Sequence, residues 1–232
     1  MQQVIAGVDG CSDGWLAVVE CNRELLALIV PNLEMLLDKI SGALIGIDIP
    51  IGLPDRGSRS CDLLARKLLG RPRGSSVFPA PVRACLRDWD YSRLCALHRT
   101  IDGRGLTKQA FNLLPKIKQV DDLLVRTPEF AGRIREVHPE VSFTLWNGEQ
   151  PMRFNKAKSE GRRERERLIG REWPGERERL ARELRGHRFA ADDLNDAFAA
   201  LWSARRIAAG GARIFPDEAQ WDSKDLQMRI EA

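Results

Sequence analysis

The stretch Val4-Ile5-Ala6-Gly7-Val8-Asp9-Gly10-Cys11-Ser12-Asp13-Gly14-Trp15 constrains this chain more than any other. It reads as an apolar strand that ends in a carboxylate between glycines, then a tight turn and a second strand. Strand side chains alternate, so Val4, Ala6 and Val8 share one face and Ile5, Gly7 and Asp9 the other. A carboxylate at the end of an apolar strand is costly unless something pairs it. Gly7 and Gly10 leave room for a ligand or another backbone to come close. Asp9 is therefore a candidate active-site carboxylate. The plainer account is an Asp that caps its own turn.

The strands continue. Residues 3–9, 14–20 and 24–30 read as an antiparallel meander, with a turn at Cys21-Asn22-Arg23. Asn32 can cap a helix carrying Leu33, Leu36, Leu37 and Ile40, which Gly42 ends. Ala43-Leu44-Ile45-Gly46-Ile47-Asp48-Ile49-Pro50 is apolar on both faces, as in a buried parallel strand. The helix before it makes the connection a crossover, so 44–48 should lie parallel to the first strand. Asp9 and Asp48 then share the sheet edge at which open α/β sheets bind ligands.

Residues 58–130 read as a largely helical insertion within a single 232-residue domain. The segment 71–83 interrupts it with three prolines. There Arg71, Arg73, Ser75, Ser76 and Arg83 suit an anion grip, or an ordinary surface loop. Pro115 should break or kink the helical pattern of 107–126. Arg133 to Phe143 reads as a short strand running into a helix. Its Glu136, His138 and Glu140 have a spacing that permits metal ligation, or that of a salt-bridged strand end.

Near the C-terminus, Asp192 or Asp193 caps a helix that runs to Gly210-Gly211. Leu194, Phe198 and Leu201 form an apolar face. Asp196, Ala199, Ala200 and Ser203 form a face of small residues that permits close approach to a sheet. Capping explains Asp193 but not Asp196 on that close-packed side. The tail from Asp225 to Ile230 reads as one more strand.

Composition bounds the rest. The chain is 43% hydrophobic and 30% charged, a soluble globular balance. No apolar run reaches the ~18 residues of a membrane span, and the N-terminus lacks the basic and apolar regions of a signal peptide. Five cysteines without CxxC spacing suit free thiols in a cytoplasmic protein. Residues 153–188 hold a basic excess larger than the whole chain's +4, so the remainder is net negative. That segment suits phosphate contacts, or a pair of solvated helices laced with Glu–Arg pairs.

Asp9, Asp48, Asp193 and Asp196, in this order, resemble the ribonuclease H-like superfamily, and within it the RuvC-type resolvases. Asp193-Leu194-Asn195-Asp196-Ala197-Phe198-Ala199 is similar to the RuvC-type terminal helix. Nearly the whole chain resembles domain of unknown function family 429, predicted nucleases with a ribonuclease H fold. The resemblance is carried by Gly7 to Cys11, Asp48-Ile49-Pro50-Ile51-Gly52-Leu53-Pro54, Ser75 to Arg83, Leu114-Pro115-Lys116-Ile117, Glu136 to Phe143 and Asp193 to Ala197. Asn195 departs from the family's usual apolar residue and should alter packing near Asp196.

The resemblance implies an α/β fold with a mixed sheet flanked by helices, and hydrolysis of phosphodiester bonds by two Mg²⁺ or Mn²⁺ ions. Such ions sit about 3.5–4 Å apart. It implies Asp9 bridging them, Asp48 and Asp196 each completing one site, and Asp193 or Glu136 supporting the second ion or the attacking water. Arg71, Arg73, Ser75, Ser76, Arg83, Lys116, His138 and Glu140 become candidate substrate contacts. Nucleic acid is the expected partner; the reading admits a homodimer and no membrane. Two rivals stand beside it. Actin-like ATPases and kinases share the opening strand-turn-strand, but need a second copy of it, which is not evident in 232 residues. A non-catalytic binding module would keep the fold without the metal chemistry.

Overall fold

A computed structural model describes residues 4–232, so the expected start of the first strand at Gln3 lies outside the described residues. In chain order the elements begin with β1 (Ile5–Cys11), β2 (Gly14–Cys21), β3 (Glu24–Val30), α1 (Leu33–Lys39) and β4 (Leu44–Ile47). Helices α2 (Ser60–Arg73), α3 (Tyr91–Asp102) and α4 (Lys108–Arg126) follow, then β5 (Ile134–Glu136) and α5 (Pro139–Trp146). The chain finishes with α6 (Ser159–Glu172), α7 (Glu176–Glu183), α8 (Ala191–Ala208), β6 (Ile214–Phe215) and β7 (Ile230–Glu231). Two compact units form. One holds the chain up to Ile49, Gly132–Arg213 and the last two residues; the other holds Pro50–Ala131 and Ile214–Ile230.

The first unit carries a five-stranded sheet in the order β3-β2-β1-β4-β5. β1, β2 and β3 are the expected antiparallel meander, and β4 and β5 run parallel to β1. This mixed α/β sheet is consistent with a ribonuclease H-like fold. Its turns follow local chemistry. Gly14 has φ 127, and a Cβ there would lie 2.1 Å from the Val30 carbonyl oxygen. Asn22 and Arg23 both take positive φ, the conformation that matches a hairpin to strand twist. Asn32 caps α1, its Oδ1 accepting from the Met35 N–H at 2.9 Å. That helix stops at Ile40, earlier than expected, and Gly42 turns the chain two residues later at φ 78.

Helix α8 lies against the sheet with almost nothing between them. Gly7 and Gly46 are register partners on β1 and β4. A Cβ on Gly7 would sit 2.0 Å from the Leu201 nitrogen and 2.1 Å from the Ala197 oxygen. One on Gly46 would sit 2.7 Å from the Ala200 oxygen. The space that Gly7 leaves open is thus filled by helix backbone. The sheet-facing side of α8 is Ala197, Ala200, Leu201 and Ala204, not the expected set of Asp196, Ala199, Ala200 and Ser203, because the two strand glycines admit the helix backbone itself. A buried Ser203–Ser142 hydroxyl hydrogen bond of 2.8 Å ties the helix to α5. Around this contact, Leu16, Val18, Phe143, Ile169, Leu180 and Phe198 form the core with Trp173.

The second unit is helical. α2 is broken near its end, where Gly70 takes φ 59 and Arg71 is extended. α4 is one continuous helix, so Pro115 does not end it. The proline is exposed, opposite a buried stripe of Ala110, Leu114, Ile117, Val120 and Leu124. Packing along that stripe holds the turns on both sides of the proline. Arg83 is gripped by Asp121 through two 2.9 Å bonds and also by Asp222. Asp222 accepts further bonds from the backbone N–H groups of Leu53, Lys224 and Leu226. The expected tail strand at 225–230 shrinks to β7, preceded by a single bridge from Trp221 to Gln227. No described helix is long and apolar enough to cross a membrane.

Candidate metal centre

Asp9 lies on β1 and Asp48 directly follows β4. The Val8–Ile47 register and the 2.9 Å bond from the Asp48 N–H to the Val8 carbonyl set them side by side. Alternation from Gly7 and Gly46 turns both toward α8. Asp196 comes from that helix, one residue before the Ala197 that meets Gly7. One oxygen from each of Asp9, Asp48 and Asp196 lies within 4.8 Å of the others. Sheet and helix thus bring together three carboxylates far apart in sequence, two of them buried and Asp48 partly so.

The three destabilise one another's charge. Burial first, then the charge of Asp196, pushes the Asp48 carboxyl up to about 8; Glu136 and Glu140 push the same way, and Lys156 opposes. Burial, Asp48 and Asp196 raise Asp9. Burial raises Asp196 despite the ammonium of Lys156. That ammonium donates to Asp196 Oδ2 and lies 3.8 Å from Asp192 Oδ2. The other oxygen of Asp196, Oδ1, is buried without a hydrogen-bond partner. Leaving such a group bare is costly. An all-carboxylate donor set with one bare buried oxygen fits a hard divalent cation.

The remaining candidates divide. Asp193 is the third residue of α8, and its carboxylate accepts from the Ala190 N–H at 2.8 Å. It caps the helix, and burial pushes it up to about 6. Asp9 Oδ1 also accepts from its neighbour, the Gly10 N–H, at 2.7 Å. Glu136 pairs in register with Ile47, so alternation places it on the face away from α8. It acts on Asp48 through its charge. His138 begins α5, and its carbonyl accepts from the Ser142 N–H and hydroxyl. Glu140 Oε1 takes the Nε of the fully buried Arg165 at 3.0 Å, which realises the ion-pair alternative for that residue.

Arg71, Arg73, Ser75, Ser76, Arg83 and Lys116 all belong to the second unit. Ser75 donates to the Pro72 carbonyl at 2.8 Å, and the charge of Arg83 is matched by Asp121 and Asp222. Lys116 is half-buried on α4. In the basic segment, the lacing account holds for Arg177 with Glu166 and for Arg179 with Glu176 and Glu183. Arg163, Arg167 and Arg171 are exposed.

Three residues escaped the sequence reading. Lys156 had no local signal beyond a general basic excess. Arg165 shares a helix face with Gly161, Leu168 and Ile169, a spacing that marks it as inward-facing. Arg177 donates to Asn195 Oδ1 at 2.7 Å, which partners one end of the amide beside Asp196, while Nδ2 is buried without a hydrogen bond.

No curated protein and no solved structure matches the chain. The family described as "Protein of unknown function (DUF429)" matches residues 7–220, and the chain belongs to that family.

Proposed function

We propose that this protein is a divalent-metal-dependent nuclease. The carrying observation is the convergence of Asp9, Asp48 and Asp196 at the carboxyl ends of two parallel strands, with a buried, unpartnered oxygen on Asp196. These three residues would hold Mg²⁺ or Mn²⁺. When bound, such ions supply an activated water and stabilise charge developing on phosphate oxygens. The protein's own residues do the rest. Asp9 and Asp48 fix the centre from the rigid sheet, and Asp196 closes it from α8. The close seating of α8 on β1 keeps water out from beneath. Asp193, with its carboxyl pushed up to about 6, can take or give a proton near neutral pH. The exposed Arg163, Arg167 and Arg171 of α6 supply positive charge for a phosphate backbone.

The test is calorimetry with Mn²⁺ together with cleavage assays on single-stranded, duplex, hybrid and branched nucleic acids. Micromolar to millimolar Mn²⁺ binding with cleavage of at least one substrate is expected. Absence of any divalent binding at millimolar concentration overturns the reading. Nucleotide binding and hydrolysis without nucleic-acid cleavage would favour an ATPase instead.

A further inference from the structure

Asp196 already holds a cation. We infer that Lys156 is a built-in competitor of the divalent ion: it neutralises Asp196 in the metal-free protein, and the ion meets the full charge of that carboxylate only when the amine lets go. The inference rests on the metal reading above and deepens it by naming what the ion displaces.

The Lys156 ammonium donates to Asp196 Oδ2 and lies 3.8 Å from Asp192 Oδ2. An ion that takes Asp196 together with Asp9 and Asp48 draws on that same negative charge. Nor does Lys156 sit on a loose loop. The Glu164 carboxylate accepts from the backbone N–H groups of Arg153 and Phe154 at 2.9 and 3.1 Å. Arg165 donates to the Phe154 carbonyl at 3.2 Å. Gly161 comes so near that a Cβ on it would lie 2.0 Å from the Asn155 oxygen. Asn155 itself accepts from Ala157 and Lys158. Residues 153–158 are thereby bolted to α6, and the amine is presented to Asp196 from a fixed base.

A tethered group competes at a high effective concentration, set by its attachment rather than by the solution. Asp196 Oδ1 stays bare, so the contest is for the carboxylate's charge: with the ammonium on Oδ2 the ion meets a neutralised Asp196, and its apparent affinity falls with the fraction of molecules so paired. The Lys156 side chain is 39% exposed against 1% for Asp196. The amine therefore has a route into water when displaced, and the carboxylate has none. A merely structural ion pair has the same contacts but a different consequence: its loss weakens the fold and leaves the metal no better bound.

The experiment titrates Mn²⁺ by calorimetry into wild type, Lys156→Met, Lys156→Arg and Glu164→Ala, with thermal melts at zero and saturating Mn²⁺. Lys156→Met should bind Mn²⁺ at least tenfold tighter, and Lys156→Arg about as wild type. Metal-free Lys156→Met should melt below wild type and gain more from saturating Mn²⁺. Glu164→Ala loosens the loop without touching the centre and should tighten Mn²⁺ about threefold. If Lys156→Met folds only with Mn²⁺, the ion has replaced the amine, as expected. If it does not fold at all, Glu164→Ala decides: unchanged affinity overturns the inference. Wild-type Mn²⁺ binding with no gain in Lys156→Met overturns the inference and leaves the metal reading standing. No binding in any variant overturns both.

Discussion

Asp48 and Asp222 are both carboxylates set into packed surroundings, yet the two units treat them in opposite ways. Around Asp222, burial raises the carboxyl, but the N–H groups of Leu53, Leu226 and Lys224 and the Arg83 guanidinium outweigh it and hold it below its ordinary value. Around Asp48, burial is joined by other carboxylates, and the group rises to about 8. Asp222 has four donors to its charge. Asp48 shares one ammonium with its acidic neighbours. The first arrangement serves the fold of its unit. The second costs stability in the metal-free protein, a cost expected where charge is kept for binding.

Removing the Arg83 cation is the hardest test of that contrast. Arg83→Met leaves Asp121 and the fully buried Asp222 facing each other and should cost the second unit about 3 kcal/mol in urea unfolding. A loss below about 1 kcal/mol would mean that the pairing there is incidental.

Gly7→Ala should cost about 2 kcal/mol, because the new methyl meets helix backbone and not a movable side chain. The same change at Gly42, where a Cβ meets nothing, should cost less and act only through its positive φ.

Under the proposed nuclease function, Asp196→Asn should cut cleavage by at least about tenfold, roughly 1.4 kcal/mol in the barrier, and weaken Mn²⁺ binding. Metal-free stability should change little, because relieved carboxylate repulsion is set against the lost ion pair with Lys156. If cleavage survives unchanged, the helix carboxylate is only structural.

The smallest effect is a difference in pH slope. Asp48 is raised on folding, so the folded protein binds the extra proton between about 4 and about 8. That contribution is full at low pH and fades as pH rises to about 8. Asp222 is lowered on folding, so its contribution is present above the ordinary carboxylate value and fades as pH falls through its folded value. Hydrogen exchange should show the second unit loosening first in acid. The metal-free centre should loosen toward pH 8, and saturating Mn²⁺ should flatten that second slope.

The sheet and the three carboxylates were legible because each leaves a local mark. Alternation and flanking glycines mark β1, a run apolar on both faces marks β4, and a carboxylate at the end of an apolar element marks Asp9 and Asp48. Asp196 is marked by being acidic on a face of small residues. Lys156 and Arg165 were not legible, because their partners are chosen by packing between segments. Lys156 meets a carboxylate 40 residues on, and nothing in its neighbours distinguishes it from the other bases of its segment. The break at Pro115 does not occur, for a related reason: a proline's local effect is plain, but the stripe that holds the helix together on its other side is visible only once packed.

The contact between Gly7 and α8 also fixes a ruler. Asp9 and Asp48 are anchored on one side of it and Asp196 on the other, so the thickness of that layer sets the bore of the centre. Relieving a 2.0 Å clash to ordinary contact would move the helix by more than about an ångström. Mg²⁺ and Ca²⁺ differ in ligand distance by only about 0.3–0.5 Å. Two hydrogen atoms on one glycine thus stand between this cluster and a wider one, and if it holds a metal as proposed, a folded Gly7→Ala protein should lose Mg²⁺ before it loses Ca²⁺.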